Sequence, residues 1–417
     1  MTLLLVVLSM LLQAAAPPQT PQDCVKTARD FSTKRLKELG PTTGDTVRQV
    51  TSERLAMLRE CAAQFDMSKT APADLAPLVD LYVEAQQLDK AREALARGLA
   101  DATVEQPARA NLLLLAVRTT LRQPKSDERN AMAERYMEQL DALGDEVLEQ
   151  RLTAHGALNN YYRGDDIDAG IIRHSTWMMD AGKRLSADQR QKFGASVISA
   201  YVNLAEAVAG QGDNDRAIDL LKRAPVEWPE AAAAGARVKD VLARYVLVGT
   251  AAPAISASVW LNRTATQPLD PKGKVTLLQF TAHWCGPCKE SYPGMKRLQE
   301  RFAKDDFQVV FYTRTYGYFE QERNLTREQE IERDKKYFAG YGFTLPIAIG
   351  SPSSVILDGK PKFQEDPLET AFAVGGIPQI NVIDRKGNIR LVMIGYDDAN
   401  EEKLAAFIQT LLKERQP

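Results

Sequence analysis

From Asp23 to about Val248 apolar residues recur at spacings of three and four, with Ala, Leu, Glu, Arg and Gln abundant between them, a pattern that predicts helices throughout. Gly, Pro and Asp mark the helix stops, as at Gly98, Pro107, Pro124, Gly164 and Gly210 to Asp213. Small residues and a proline at 248–253 close this region. Beyond it β-branched runs appear at 275–280, 309–313, 380–383 and 389–394, separated by helix-compatible stretches. Runs apolar on both faces predict central strands covered by helices on both sides. The last two, joined by Arg385-Lys386-Gly387-Asn388, read as an antiparallel hairpin, and 401–413 reads as an amphipathic closing helix. The expected organisation is an all-α domain over 23–248 followed by an α/β domain over 249–417.

Within the helical part, residues 201–229 resemble a tetratricopeptide repeat. Tyr201, Leu204, Ala205, the turn Gly212-Asp213, Ala217, Leu221, Ala224 and Pro229 follow its spacing. A second copy matches at Leu78, Tyr82, Ala91 and Leu95, and a fainter third runs from Asn159 to Ala169. The physical logic is packing: small residues let two helices approach, and large ones fill the groove made by the next unit. A plain irregular bundle gives similar small–large alternation, and the copies are unevenly spaced, so both readings stand.

Composition changes this picture little. The 417 residues are 44% hydrophobic and 26% charged, as in a soluble globular protein of two or three domains. A formal net charge of −2 removes the electrostatic case for nucleic acid or an anionic membrane surface. Three histidines (His155, His174 and His283) do not make a histidine-rich metal site. The N-terminus adds more. Leu3 to Leu12 is almost wholly apolar and Ala14-Ala15-Ala16 offers small residues for cleavage, so 1–16 reads as a signal peptide and the product as periplasmic or secreted. The run is too short to span a bilayer, and the membrane is not required after cleavage; an uncleaved tether is the alternative.

The four cysteines fall into two pairs. Cys24 and Cys61 lie on separate predicted helices; in an oxidising compartment they either form a structural disulfide across a helical hairpin or remain half-buried thiols. Cys285 and Cys288, in Trp284-Cys285-Gly286-Pro287-Cys288, can close and reopen a small ring, which points to thiol–disulfide exchange. The motif sits between an apolar strand and a helix-compatible stretch, the context that makes it credible. Cys285 lies where unpaired N–H groups and the helix dipole favour a thiolate, so it is the expected nucleophile; Cys288, inside the first turn, is the expected resolving thiol. Pro287 suits a helix opening. The two thiols carry the electrons, so no cofactor or metal is called for, and the expected partners are protein thiols and disulfides.

The motif is the signature of the thioredoxin superfamily, and the segment from about 247 to 415 resembles its exported branch, the TlpA-like reductases. The resemblance rests on Gly249, Ala252-Pro253, Gly273-Lys274-Val275, Phe280 through Cys288, Pro293, Gly376-Ile377-Pro378 and Asp384 to Gly387. It implies a thioredoxin-like fold and a cis bond at Ile377–Pro378 facing the cysteines. It also implies that Trp284, Ile377 and Pro378 contact a substrate segment, with the Ile377 backbone free to pair with it, and that Pro293 kinks the helix. Two departures stand out. Many relatives carry an acid six residues before the first cysteine or six after it; here those positions are Gln279 and Ser291, which cannot titrate. Proton transfer is left to water, to Glu290, turned about 100° from that second position, or to a residue from elsewhere. His283 either stabilises the thiolate or is a loop histidine without a role.

An insertion over about 314–345 is densely charged and helix-compatible at 320–336, with Tyr316, Tyr318 and Phe319 ahead of it. It reads as a solvated helix face or as a partner-recognition element over the active site. The expected activity is an exported protein-disulfide oxidoreductase with reduction favoured. The alternative is a helical scaffold that binds one partner, on which alone the redox domain acts. A peroxidase is disfavoured because Ala282 and Leu278 stand where a peroxiredoxin needs Thr and Pro, and Cu(I) delivery lacks a supporting Met or His pattern.

Overall fold

The computed structural model describes residues 20–39, 44–165, 168–357, 360–396 and 398–414. The expected signal peptide therefore lies outside the described residues, as do parts of the loop between the first two helices and of the faint third repeat. The chain divides into two compact units, residues up to 185 and residues 186–417.

The first unit is helical: α1 Pro21–Glu38, α2 Gly44–Ala62, α3 Leu75–Glu84, α4 Leu88–Ala100, α5 Ala108–Leu121, α6 Asp127–Asp141, α7 Leu148–Asp165 and α8 Asp168–Gly182. Successive helices pack side by side, α1 on α2, α3 on α4, α5 on α6 and α7 on α8. Cys24 of α1 and Cys61 of α2 are disulfide-bonded, with Cα atoms 6.2 Å apart. They lie in a core with Leu58, Leu75, Leu78, Val79 and Tyr82.

The second unit opens with three more helices, α9 Ala187–Gly210, α10 Asn214–Glu227 and α11 Gly235–Tyr245. Ser186 and Gln189 form a reciprocal capping box at the start of α9. Gly212 takes φ +91° in the turn to α10, where Asp213 caps the next helix. Tyr201, Leu204, Ala205, Ala217, Leu221 and Ala224 are all buried, as the close packing of two helices requires. By length and composition α9 could cross a bilayer, but 67% of its apolar window is buried inside the protein, as in a core helix.

The α/β part follows: β1 Val259–Leu261, β2 Val275–Phe280, α12 Gly286–Arg301, β3 Phe307–Thr313, β4 Tyr318–Phe319, β5 Glu322–Arg323, α13 Arg327–Gly340, β6 Ile347–Ile349, β7 Ser354–Leu357, β8 Lys360–Phe363, α14 Pro367–Ala371, β9 Gln379–Ile383, β10 Ile389–Ile394 and α15 Asp398–Lys413. Six strands form one sheet in the order β1-β6-β3-β2-β9-β10. The strands β2, β3 and β6 are parallel, whereas β1, β9 and β10 run antiparallel to their neighbours. The expected hairpin is β9–β10, with Gly387 at φ +86° and the Asp384 carboxylate accepting the N–H groups of Lys386 and Asn388 at 2.9 Å each.

Alternation along the strands makes two cores. Val275, Leu277, Val309 and Phe311 face Tyr292, Met295 and Leu298 of α12, Ile331 and Phe338 of α13, and Leu404 and Ile408 of α15. Leu278, Phe280, Val310 and Tyr312 face Leu368 and Phe372 at α14 and the segment around Leu247, Val248 and Ala252. The crossovers β2–α12–β3 and β3–α13–β6 advance across the sheet in one direction. With the usual right-handed connection both helices lie on one face and run the same way.

Two expectations about this unit change. The composition shift at 248/249 marks a change of secondary structure, whereas the compact unit begins at 186. Helix α11 reaches into the α/β part: Arg244 is 8% exposed, and a Cβ on Gly375 would come 2.5 Å from its Nη1. The charged insertion is also helical only from residue 327. It is a short β4–β5 hairpin followed by α13, which starts at 327 behind a capping box of Thr326 and Gln329.

Candidate active site

Strand β2, paired on both sides, ends at Phe280, and the chain turns through Thr281 to Trp284 before α12 begins. Cys285 is the N-cap of α12, with extended backbone, and its sulfur accepts the Cys288 N–H at 3.2 Å. A side-chain acceptor at this position satisfies one of the four free N–H groups of a helix start and favours negative charge on the acceptor. Cys285 and Cys288 are disulfide-bonded, with Cα atoms 5.2 Å apart. Cys285 is nearly buried and Cys288 fully so, while Trp284 beside them is 46% exposed. Across the site the Ile377–Pro378 bond is cis, and the Ile377 carbonyl oxygen lies 3.7 Å from the Cys285 sulfur. The structure thus gathers Trp284, Cys285, Cys288, Ile377 and Pro378 in one place. Helix α12 continues through Pro293 to Arg301.

Gln279 and Ser291 form a neutral chain under the dithiol. The Gln279 amide donates to Ser291 Oγ at 2.8 Å, and Ser291 Oγ donates to the Cys288 carbonyl at 2.7 Å. Both side chains are fully buried. They fix the first turn of α12 but offer no group that takes up a proton near neutral pH. Glu290 does not replace them. It is exposed, because two residues beyond Cys288 on a helix is about 200° of rotation, which turns it from the buried thiol to solvent.

The insertion closes one side of the site. His283 is buried against Phe319, stacked with ring centroids 4.7 Å apart, and meets Tyr316 and Tyr318 edge-on at 5.9 and 5.4 Å. Its Nε2 lies 3.6 Å from the Glu330 carboxylate, an ion-pair separation rather than a hydrogen bond. Glu330 accepts the N–H groups of Tyr316 and Gly317, both at 2.7 Å. Trp284 packs edge-on against Tyr316 at 5.4 Å. One helical turn after Glu330, Asp334 is also buried, and neither of its oxygens has a hydrogen-bond partner. Burial first, and the nearby Glu330 charge second, push its carboxyl up to about 8.

These two acids escaped the reading of 320–336 as a solvated face. A signal was present: Ile331 and Phe338, seven apart, set the inward face of α13, and Asp334 falls between them at helical spacing. Among the described residues no cluster of His, Cys, Asp and Glu is arranged to hold a metal ion.

Comparison with known proteins places this geometry. Residues 247–408 match the Redoxin family model. The thioredoxin-like protein YneN of Bacillus subtilis is 29% identical over 127 residues, which are 30% of this chain and 59% of that protein. The thiol-disulfide oxidoreductase ResA of Geobacillus thermodenitrificans is 27% identical over 150 residues, 36% of this chain and 71% of that one. A solved structure provisionally assigned as thiol:disulfide interchange protein DsbE of Chlorobium tepidum is 26% identical, with a TM-score of 0.30, over 40% of this chain and 97% of its own. All of these likenesses cover well under half of the chain, and the chain spans only 59% of the YneN protein. The family match begins at residue 247, after the helical region. The C-terminal part of this chain, residues 247–408, is therefore a Redoxin domain with thioredoxin-like relatives, carried behind a helical N-terminal region.

Proposed function

We propose that the protein is a thiol–disulfide oxidoreductase in which Cys285 attacks a disulfide of a protein partner and Cys288 releases the resulting mixed disulfide. The observation that carries this reading is the position of Cys285: N-cap of α12, bonded to the Cys288 N–H, and facing the Ile377 carbonyl beside the cis proline. A thiolate at a helix start is the nucleophile that exchange needs, and a second thiol within the same turn makes release intramolecular. The exposed Trp284 face and the Ile377 backbone edge are where an extended partner segment would lie.

In each cycle the Cys285 thiolate forms a bond to one partner sulfur, and the other partner sulfur leaves as a thiolate. Cys288 loses its proton and attacks Cys285, and the second partner sulfur leaves. The partner gains two electrons and the protein ends as the Cys285–Cys288 disulfide. The Gly-Pro pair between the cysteines favours this reducing direction. Residues 249–417 carry the reaction, and residues 23–248, with their repeat-like helix pairs, serve as the partner-binding region of an exported protein.

Reduction of insulin by the full-length protein, recycled by dithiothreitol, tests the activity. Cys285→Ser is expected to bring the rate to that of dithiothreitol alone. A variant as fast as the unaltered protein would exclude Cys285 as the nucleophile.

A further inference from the structure

Exchange requires a group that takes the Cys288 proton when the thiol attacks and returns it when the disulfide is reduced. Gln279 and Ser291 cannot do this, and Glu290 is exposed. On the sheet face that holds α12, the fully buried carboxylates among the described residues are Glu330 and Asp334, both on α13. Glu330 accepts two backbone N–H groups, and its carboxylate lies 3.6 Å from His283 Nε2. Asp334 has no hydrogen-bond donor at either oxygen. An ionised carboxylate without donors is costly inside a protein, so in the disulfide form this group keeps its proton at neutral pH.

Its placement follows from the packing of two helices that run side by side. Tyr337 and Phe338 of α13 meet Tyr292 of α12, with ring centroids 6.5 and 6.3 Å apart, and Lys289 Nζ lies 5.6 Å from the centre of the Tyr337 ring. One turn earlier on each helix come Asp334 and Cys288. Ile331 and Phe338, which flank Asp334, share one buried cluster with Cys285 and Cys288. The Tyr292 hydroxyl, raised to about 12 mainly by burial, also feels the Asp334 charge.

The geometry points to Asp334, supplied by the insertion, as the proton-holding residue of the dithiol, a role that rests on the exchange activity proposed above. The Cys288 S–H bond breaks and its proton passes to the Asp334 carboxylate. The Cys288 thiolate then bonds to the Cys285 sulfur and the partner sulfur leaves with the bonding pair. In the disulfide form Asp334 is protonated, and it gives that proton back to Cys288 when the bridge is reduced. The ionisable groups on the elements packed around it are Glu330 and Tyr337 on its own helix, Tyr292 on α12, which feels its charge, Lys289 on α12, which reaches the Tyr337 ring, and His283 on the loop before α12, which lies against Glu330. Of these Glu330 opposes its ionisation, and the facing strand residues Phe311 and Ile347 carry no charge.

The test uses the reduced full-length protein and an aromatic disulfide whose thiolate is coloured. Attack by Cys285 gives a first release of colour, and attack by Cys288 on the mixed disulfide gives a second. In the unaltered protein the second phase is expected to accelerate as pH rises through the titration of Asp334, which burial places above the usual carboxylate range. Asp334→Asn is expected to leave the first phase unchanged, to slow the second roughly a hundredfold near neutral pH, and to remove that inflection. Absence of the first phase in the unaltered protein would sink the exchange reading itself. A normal first phase with an unchanged second phase in the variant overturns only the role of Asp334. If Asp334→Asn does not fold, carbon NMR of aspartate-labelled unaltered protein decides. One carboxyl titrating near 8 in the disulfide form, with a midpoint that moves on reduction, supports the role. No aspartate titrating above about pH 6 rejects it.

Discussion

The carboxylate of Glu330, on an inserted helix, lies 3.6 Å from the imidazole of His283, two residues before Cys285. The loop that leads into Cys285 is thus held by a segment more than forty residues further along the chain, as well as by the strand and helix on either side of it. Since Glu330 is 0% exposed and receives two backbone N–H groups, Glu330→Gln turns an amide N–H₂ toward donors that need an acceptor. The expected loss is about 2 kcal/mol of stability, with slower exchange as His283 and Trp284 loosen. Denaturant unfolding and the insulin assay measure both; a stability change below about 0.5 kcal/mol would show that the carboxylate does not anchor the loop.

The chain beneath the dithiol makes a smaller prediction. Ser291→Ala leaves the buried Gln279 amide without its acceptor and the Cys288 carbonyl without its side-chain donor. About 1 to 3 kcal/mol of stability is expected to be lost, while the pH at which Cys285 becomes reactive is expected to stay put, because neither group is charged. Thermal melting and the pH profile of alkylation separate the two effects. A shifted alkylation profile would mean that Ser291 acts on the thiols directly.

Acid sensitivity is expected in the first helical unit. His155 and His174 are buried with their Nδ1 atoms 2.7 Å apart, while Asp141 lies 3.3 Å from His155 Nε2 and Glu134 lies 3.1 Å from His174 Nε2. The short contact between rings has room for one hydrogen, so both imidazoles cannot be doubly protonated there. Burial, opposed by Asp141, holds His155 down to about 4, against 6.5 for a free imidazole. Between those values the unfolded chain binds the extra proton, so stability is full above about 6.5 and falls as pH drops toward 4. The loss attributable to His155 is ~3 kcal/mol. Histidine NMR across this range is the check, and a His155 midpoint near 6.5 would contradict it.

Much of the α/β part was legible. The four β-branched runs became the strands β2, β3, β9 and β10, because in five to seven residues the apolar and β-branched positions outweigh the few polar ones, such as Thr276, Gln279, Gln308 and Asn381. The proline loop and the cysteine turn carried their own punctuation. The strands β1, β6, β7 and β8, three or four residues each, are too short to set a period. The insertion misled for a different reason. In 327–336 eight of ten residues are charged, and nothing in composition tells which two are buried. Only the inward register set by Ile331 and Phe338 picks out Asp334, and only the fold brings Glu330 to His283. Likewise the change of composition at 248 hides the fact that α11 lays Arg244 against Gly375, two residues before Ile377.

That last contact predicts where the chain can be cut. A fragment of residues 186–417 keeps α9 to α11 together with Arg244, Leu247 and Val248, which cover the back of the sheet. A fragment of 249–417 exposes Phe372 and its neighbours and is expected to be less stable by at least about 2 kcal/mol. Equal melting temperatures for the two fragments would show that the helices add nothing to the redox domain.

Mixed-disulfide trapping tests the account most directly. Full-length protein carrying Cys288→Ser keeps the nucleophile and lacks the thiol that releases it. Incubated with a disulfide-containing protein and analysed by mass spectrometry without reductant, it is expected to accumulate a partner joined through Cys285. Cys285→Ser should accumulate far less, because Cys288 is fully buried. Partner capture at Cys288 alone, or none at either cysteine, would contradict the assignment of Cys285 as the attacking thiol.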